Sequence, residues 1–120
     1  MQTGIRLQAE PVRHVTSLAI HNAAPGVWLS IDVTEPTLLH PARIILFQNF
    51  TNADLMISMD GIHSHFPIPA GGFLLLDVTS NRSDLGGGYY IAEGTRFYVM
   101  RLGADPTLGN LWMSVFYAAE

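Results

Sequence analysis

Charged residues are scarce in this chain of 120 residues, and lysine and cysteine are absent. Charged residues make up 13% of the sequence and hydrophobic residues 48%, whereas a soluble domain is usually roughly one quarter charged. The length fits one domain with room for a hydrophobic core. A surface this poor in charge favours coverage by another molecule over the alternative, a monomer coated with Ser, Thr and Asn.

The missing residue types exclude several kinds of chemistry. Without cysteine there is no disulfide and no thiolate nucleophile, and the compartment is left open. The basic residues are all arginines scattered along the chain, and with a net charge of −4 they form no basic cluster of the kind that binds nucleic acid. The first residues show no apolar signal core, and no apolar run is long enough to span a membrane. We therefore expect neither nucleic-acid nor membrane binding.

Strand-like segments dominate what is present. They are rich in β-branched and aromatic residues and are separated at short, regular intervals by Gly, Pro, Asn and Asp, a spacing typical of a β-sandwich or barrel. The predicted strands are 12–20, 26–33, 42–50, 54–60, 72–79, 88–94, 95–102 and 110–118. No long segment has a helical period, and the best helical candidate is a single turn within 34–43. We predict an all-β chain forming a single antiparallel β-sandwich, with a jelly roll as one form of it.

Residues 1–11 differ from the rest because they are extended, mixed in polarity and end in a proline. We predict that they form an N-terminal arm and that residues 12–120 form the β-sandwich domain. Chain ends are usually disordered unless something holds them. Two placements of the arm are open: on a neighbouring subunit, or as an addition to the sheet of its own chain.

The last predicted strand, 110–118, is apolar on both faces, although a strand with one solvated face should alternate cleanly. Both faces are therefore expected to be covered, the second one by a loop or by another subunit. The predicted interface residues are Trp112, Phe116, Tyr89, Tyr90 and Arg6. The predicted core residues, which lie on apolar strand faces that should meet inside the sandwich, are Ile45, Phe47, Leu55, Ile57, Leu75, Phe97, Val99, Val115 and Tyr117.

His63 and His65 lie one residue apart, so in an extended segment their side chains point to the same side. Such a pair begins the metal motif of the cupins, which are jelly rolls. However, no glutamate follows within a few residues, and no histidine follows at all. Since zinc and iron need three or four converging ligands, we predict that this pair binds no metal.

Other catalytic patterns are missing as well. The sequence has no Gly-x-Ser-x-Gly nucleophile motif and no Gly-rich phosphate-binding motif. Aromatic side chains such as Trp28 and Trp112 could form a sugar-binding platform, although aromatic residues in strands more often lie in a core or an interface. We predict that the chain is not an enzyme and holds no cofactor.

A pattern of turn and core residues over 43–118 carries a resemblance to a known group. The matching positions are the turn Asn49-Phe50-Thr51, the strand end Ser58, Asp60 and Gly61, the turn Pro69 to Gly72, the strand end Leu76 and Asp77, then Asn81, Gly94, Thr95 and the final aromatic strand closing on Tyr117. In this pattern the chain resembles small virion proteins of tailed bacteriophages. The resemblance implies that Asp60, Gly61 and Asp77 hold strand ends and have no catalytic role.

The resemblance also implies a function: a non-enzymatic virion structural protein, assembled in the host cytoplasm. We expect a capsid cement, or decoration, protein that forms a homo-oligomer and contacts the major capsid protein or a connector protein. A head-tail connector or tail component is one alternative. The others are a glycan-binding module, which needs an exposed coplanar Trp/Tyr set, and a cupin-like metalloprotein, which needs a third ligand near His63 and His65.

Overall fold

The computed structural model of the protein describes residues 6–24, 26–32, 34–78 and 91–119. Within these residues the chain folds as a β-sandwich with one short helix, α1, at Ser17–Asn22. The strands are β1 (Arg6–Ala9), β2 (Arg13–Thr16), β3 (Leu29–Ser30), β4 (Ala42–Asn49), β5 (Leu55–Ser58), β6 (Phe66–Ile68), β7 (Phe73–Asp77), β8 (Tyr98–Arg101) and β9 (Asn110–Ala119).

The strands form two antiparallel sheets. In the larger sheet the order is β1-β9-β4-β7, and β2 also pairs with β9. Because β1 pairs with one end of β9 and β2 with the other, the two together make one row along its edge. The smaller sheet has the order β3-β8-β5-β6. From β2 onward the chain passes from one sheet to the other at every step except between β5 and β6, as in a jelly roll. The predicted single antiparallel β-sandwich is therefore confirmed, and its strand order is that of a jelly roll.

The core lies between the inner faces of the two sheets. Side chains from both sheets meet there, and Phe47 of β4 packs edge-on against Phe97 with ring centroids 5.3 Å apart. The predicted core residues that are fully buried are Ile45, Phe47, Leu55, Ile57, Phe97, Val99 and Val115. This alternation of buried and less buried residues follows from the two-residue period of a strand.

One core prediction is wrong, and another residue, Tyr117, lies at the edge of the core. Leu75 is 49% exposed, because its neighbours Leu74 and Leu76 are the β7 residues that pack against the core. The run of three leucines left the inward-facing residue ambiguous, and the pairing with β4 decides it. Tyr117 is only half-buried, and its ring stacks on His40 with centroids 3.6 Å apart.

The N-terminal half departs from prediction in three places. The predicted strand 12–20 divides into β2 and α1, because the hydroxyl of Thr16 accepts a hydrogen bond from the Ala19 N–H and caps the helix. The predicted strand 26–33 is reduced to β3. After β3, Asp32 has a positive φ of 57°, and its Oδ1 accepts a hydrogen bond from the Thr34 N–H. The chain therefore leaves the extended conformation at this point. The single helical turn predicted within 34–43 is not formed.

Of the predicted arm, the structure describes residues 6–11. Arg6–Ala9 is strand β1 and pairs with β9 of the same chain. These residues therefore belong to the larger sheet, and the second of the two predicted placements is the one observed. The predicted strand 88–94 lies partly outside the described residues. From its described part, Ile91 makes an isolated bridge to Ala42.

Candidate functional site

The surface that stands out is the side of the larger sheet facing away from the core. Directly paired residues of neighbouring strands share a face, so the strand register identifies its members. We call this surface the outer face. Its residues are Phe73, Leu75 and Asp77 on β7; Ile44, Leu46 and Gln48 on β4; Asn110, Trp112, Ser114, Phe116 and Ala118 on β9; Leu7 and Ala9 on β1; and His14 and Thr16 on β2.

The outer face is largely apolar and has almost no charge. Phe73 is 70% exposed, Leu75 49% and Leu7 45%. Asp77 is its one carboxylate, and it lies at the end of the edge strand β7. A one-sided sheet that met water here would carry polar residues at these positions. Exposed apolar area that extends over several strands is characteristic of an interaction surface.

The register also determines which large and small side chains lie side by side on the outer face. Leu75, Leu46 and Ser114 form one rung across three strands. On β9, the small Ser114 lies between the bulky Trp112 and Phe116, which are both half-buried. On β9 a small side chain is therefore flanked by two aromatic ones, while Leu46 and Leu75 occupy the same rung on β4 and β7.

The predicted interface residues are only partly brought together. Trp112 and Phe116 lie two positions either side of Ser114 on the outer face, and the Trp112 ring is tilted against His14 with centroids 5.0 Å apart. Arg6 is the first residue of β1, at the same edge of the sheet. Tyr89 and Tyr90 lie outside the described residues. Whether any of these residues forms an interface stays a prediction.

Sequence reasoning missed most apolar members of the outer face, among them Leu7, Ile44, Leu46, Phe73 and Leu75. Segment 42–50 is apolar on both faces, as segment 110–118 is, and that signal was present in the sequence. Leu75 was instead assigned to the core. The register that aligns β4 with β7 and β9 is what makes one continuous surface of these residues.

A buried ion pair holds the edge of the sheet where β1 leads into β2. Glu10 is 5% exposed and Arg13 1% exposed, and the Arg13 guanidinium donates to Glu10 Oε1 at 2.9 Å. The same guanidinium donates to the carbonyl oxygens of Glu35 and Thr37, at 2.7 and 2.9 Å. Arg13 thus ties the edge row to the segment between β3 and β4.

The Glu10 carboxylate completes this network. It accepts the backbone N–H groups of Leu39 and His40 at 3.2 and 2.8 Å, and its Oε2 lies 3.0 Å from His40 Nδ1. Burial raises the pKa of Glu10, but the hydrogen bonds from Leu39, His40 and Arg13, together with the Arg13 charge, outweigh burial and hold that pKa below its usual value. Glu10 is therefore ionised at neutral pH.

The loop after β5 is built around Asp60, one of the residues expected to hold a strand end. Asp60 Oδ1 accepts the backbone N–H groups of Ile62 and His63, both at 2.8 Å, and the Ser58 hydroxyl at 2.9 Å. Gly61 has a φ of +73°, and a Cβ there would lie 3.1 Å from the Tyr98 ring, so both backbone and space favour glycine.

His63 and His65 are each held by this loop. His63 Nδ1 lies 2.8 Å from Asp60 Oδ2, and the Met59 N–H donates to His65 Nδ1 at 3.0 Å. The contact with His63 is the largest cause that lowers the pKa of Asp60, followed by the backbone N–H groups of His63 and Ile62. Among the described residues there is no group of three or more His, Cys, Asp or Glu that could hold a metal ion.

Asn49 and Thr51, which match a glycosylation motif, have a structural role. Asn49 is fully buried, and its Nδ2 donates to the carbonyl oxygens of Ala53, Ile68 and Pro69 at 2.9 to 3.2 Å. Its Oδ1 accepts the Thr51 hydroxyl at 2.6 Å. The side chain joins the strand ends on either side of this turn and is not presented to solvent.

A shallow depression of about 240 Å³ lies beside the helix. It is lined by Ser17, Leu18, His21, Pro106 and Thr107. Pockets that hold small molecules are larger, roughly 300–1,000 Å³, and bury most of the ligand. The depression is therefore a weaker candidate for function than the outer face.

Comparison of the chain with protein-family models, with curated proteins and with solved structures finds no match. The resemblance to phage virion proteins therefore stays a prediction. No helix in the described part of the chain is long and apolar enough to cross a membrane.

Proposed function

We propose that this protein is a non-enzymatic structural subunit of a bacteriophage particle, and that it acts as a capsid cement protein. The observation that carries the proposal is the outer face, an apolar surface spanning the larger sheet with Asp77 as its one carboxylate. The link to a phage particle comes from the sequence resemblance alone.

Burial of apolar surface is the physical basis of the proposed role. Removing apolar area from water contributes about 25 cal/mol per Å², and a stable protein contact buries on the order of 1,600 Å² in total. A protein that binds the assembled shell, and does not bind its free subunits, stabilises the shell by mass action. Such a protein needs a broad contact surface and no catalytic residues.

The jelly roll does not decide among the alternatives, because viral capsid, lectin and cupin domains all use it. The local chemistry favours the structural role over a cupin-like metal site for two reasons. His65 Nδ1 accepts the Met59 N–H, so its Nε2 carries the proton and offers no lone pair to a metal. In the part of the chain that the structure describes, no third ligand completes a metal-binding group with the pair. The local chemistry also favours the structural role over a flat glycan platform, because Trp112 is half-buried and tilted against a neighbouring histidine.

The test is to compare particles with and without the protein. Mass spectrometry of purified particles should detect the chain. On heating, particles that lack it should lose integrity at a lower temperature than complete particles. As the salt concentration is lowered, they should also lose integrity sooner, at a higher remaining ionic strength. Equal resistance of the two kinds of particle would contradict the cement role and favour the connector or tail alternative. Absence of the chain from particles would end the virion proposal.

A further inference from the structure

We propose that a second copy of this chain covers the outer face, so that two larger sheets pack back to back in a two-fold symmetric dimer. This inference deepens the proposed function and rests on its assignment of the outer face as an assembly surface. The proposed function allows either a second copy of this chain or a shell protein on that surface; here the occupant is the second copy.

The size of the outer face fits a dimer contact. The larger sheet has four rows of strands, counting β1 and β2 as one, and β9 is 10 residues long. The other strands are shorter: β4 has 8 residues, β7 has 5, and β1 and β2 have 4 each. With rows about 4.8 Å apart and a rise of about 3.4 Å per residue, the face measures on the order of 500 Å² before the shape of its side chains is counted. A standard interface takes about 800 Å² from each partner, so the face supplies more than half of one side.

The charge of the outer face fits a copy of itself. In a two-fold dimer the same patch supplies both sides, so any net charge of the patch faces the same net charge on the partner. The central rung of Leu75, Leu46 and Ser114 is uncharged, and Asp77 lies at the end of edge strand β7. A face adapted to a charged partner would instead carry complementary charges.

The relief of the face also suits this packing. Face-to-face sheets lie about 10 Å apart and interdigitate their side chains. The small Ser114 lies between Trp112 and Phe116 on β9, so a bulky side chain of the second copy can pack against it. Large residues beside small ones are what allow two identical surfaces to interlock.

The experiment measures mass by sedimentation equilibrium over a wide range of protein concentration. Wild-type protein should sediment at twice the chain mass of 13.2 kDa. Phe73→Glu and Leu75→Glu should each shift the population to the single-chain mass, because each copy of the new charge would be buried in an apolar contact without a partner. Both side chains point away from the core, so the circular dichroism spectrum should stay that of the wild type.

The matched control is Ile62→Glu, which places the same charge on an apolar residue that is 74% exposed in the loop after β5. This variant should remain dimeric. A wild-type protein that stays at 13.2 kDa at every concentration overturns the inference, as does a dimer that all three variants weaken equally.

The two proposals fail separately. If the wild-type chain is monomeric but present in particles, and Leu75→Glu is lost from them, the outer face binds a shell protein. In that case the dimer is wrong and the proposed function stands. If the chain is dimeric through this face but absent from particles, the dimer stands and the virion role is wrong.

Discussion

Replacing Glu10 with Gln removes a buried charge while keeping nearly the same side-chain shape. In the native protein Oε1 accepts from Arg13 and from the Leu39 N–H, while Oε2 accepts from the His40 N–H and lies 3.0 Å from His40 Nδ1. In a glutamine side chain, an NH₂ group replaces one of the two oxygens. Whichever oxygen it replaces, the NH₂ group faces at least one N–H donor and cannot accept its hydrogen bond. The substitution therefore leaves buried donors without an acceptor and Arg13 without its counter-charge.

The expected cost follows from those two losses. An unsatisfied buried donor costs about 1–3 kcal/mol, and removing one partner of a buried ion pair costs about 3–5 kcal/mol. The His40 side chain is 43% exposed, so water can reach that side of the network. We therefore expect Glu10→Gln to lower the free energy of unfolding by about 3 kcal/mol, near the low end of the ion-pair range.

Urea denaturation followed by tryptophan fluorescence and circular dichroism measures this change. The matched control is Glu93→Gln, an exposed carboxylate that should shift stability by no more than about 0.5 kcal/mol. If Glu10→Gln costs less than about 1 kcal/mol, the buried network contributes little beyond its packing, and the argument from unsatisfied donors is refuted.

The stability difference between the wild type and Glu10→Gln should depend on pH in a defined way. The pKa of Glu10 is lowered in the folded state, so its ionisation adds stability above the unfolded value, about 4.3. That contribution is lost as pH falls through the lower folded pKa. The stability difference between wild type and Glu10→Gln should therefore be constant near neutral pH and shrink below pH about 4. A difference that grows on acidification would contradict the lowered pKa.

Three further predictions address the core, a turn and the Asp60 loop. Phe97→Ala should lower the free energy of unfolding by about 3–5 kcal/mol in urea denaturation, because Phe97 is 1% exposed, and a cost below about 1 kcal/mol would place it outside the core. Gly109→Ala should cost more than Gly71→Ala in the same assay. Both have positive φ, but only at Gly109 would a Cβ meet a backbone oxygen at 1.9 Å, and equal costs would contradict this clash. An NMR titration of the Asp60 carboxyl should give a pKa below the usual value, and His63→Ala should raise that pKa because His63 is the largest cause of the lowering. An unchanged pKa in this variant would refute the assignment.

Local patterns in the sequence determined β4, β5, β7, β8 and β9 and most of the core, whereas α1 and the short strand β6 were not predicted. Alternation along 110–118 placed Val115 inside and Trp112 on the opposite face, and both placements agree with the structure. Asp60 and Gly61 were predictable as a turn, because the Asp60 side chain bonds to a backbone N–H two residues on and Gly61 readily adopts a positive φ. These features depend on residues that are close together in sequence, so the sequence alone is enough to predict them.

Tertiary structure decided what depends on distant partners. Glu10 joins residues that are 29 and 30 positions away, and nothing near it in sequence announces that contact. Leu75 faces outward because the register with β4 turns Leu74 and Leu76 to the core, and a shift of one residue would reverse that choice. The outer face exists only once β4, β7 and β9 lie side by side. Its position follows from long-range pairing, whereas the sequence alone determined that apolar surface would be abundant.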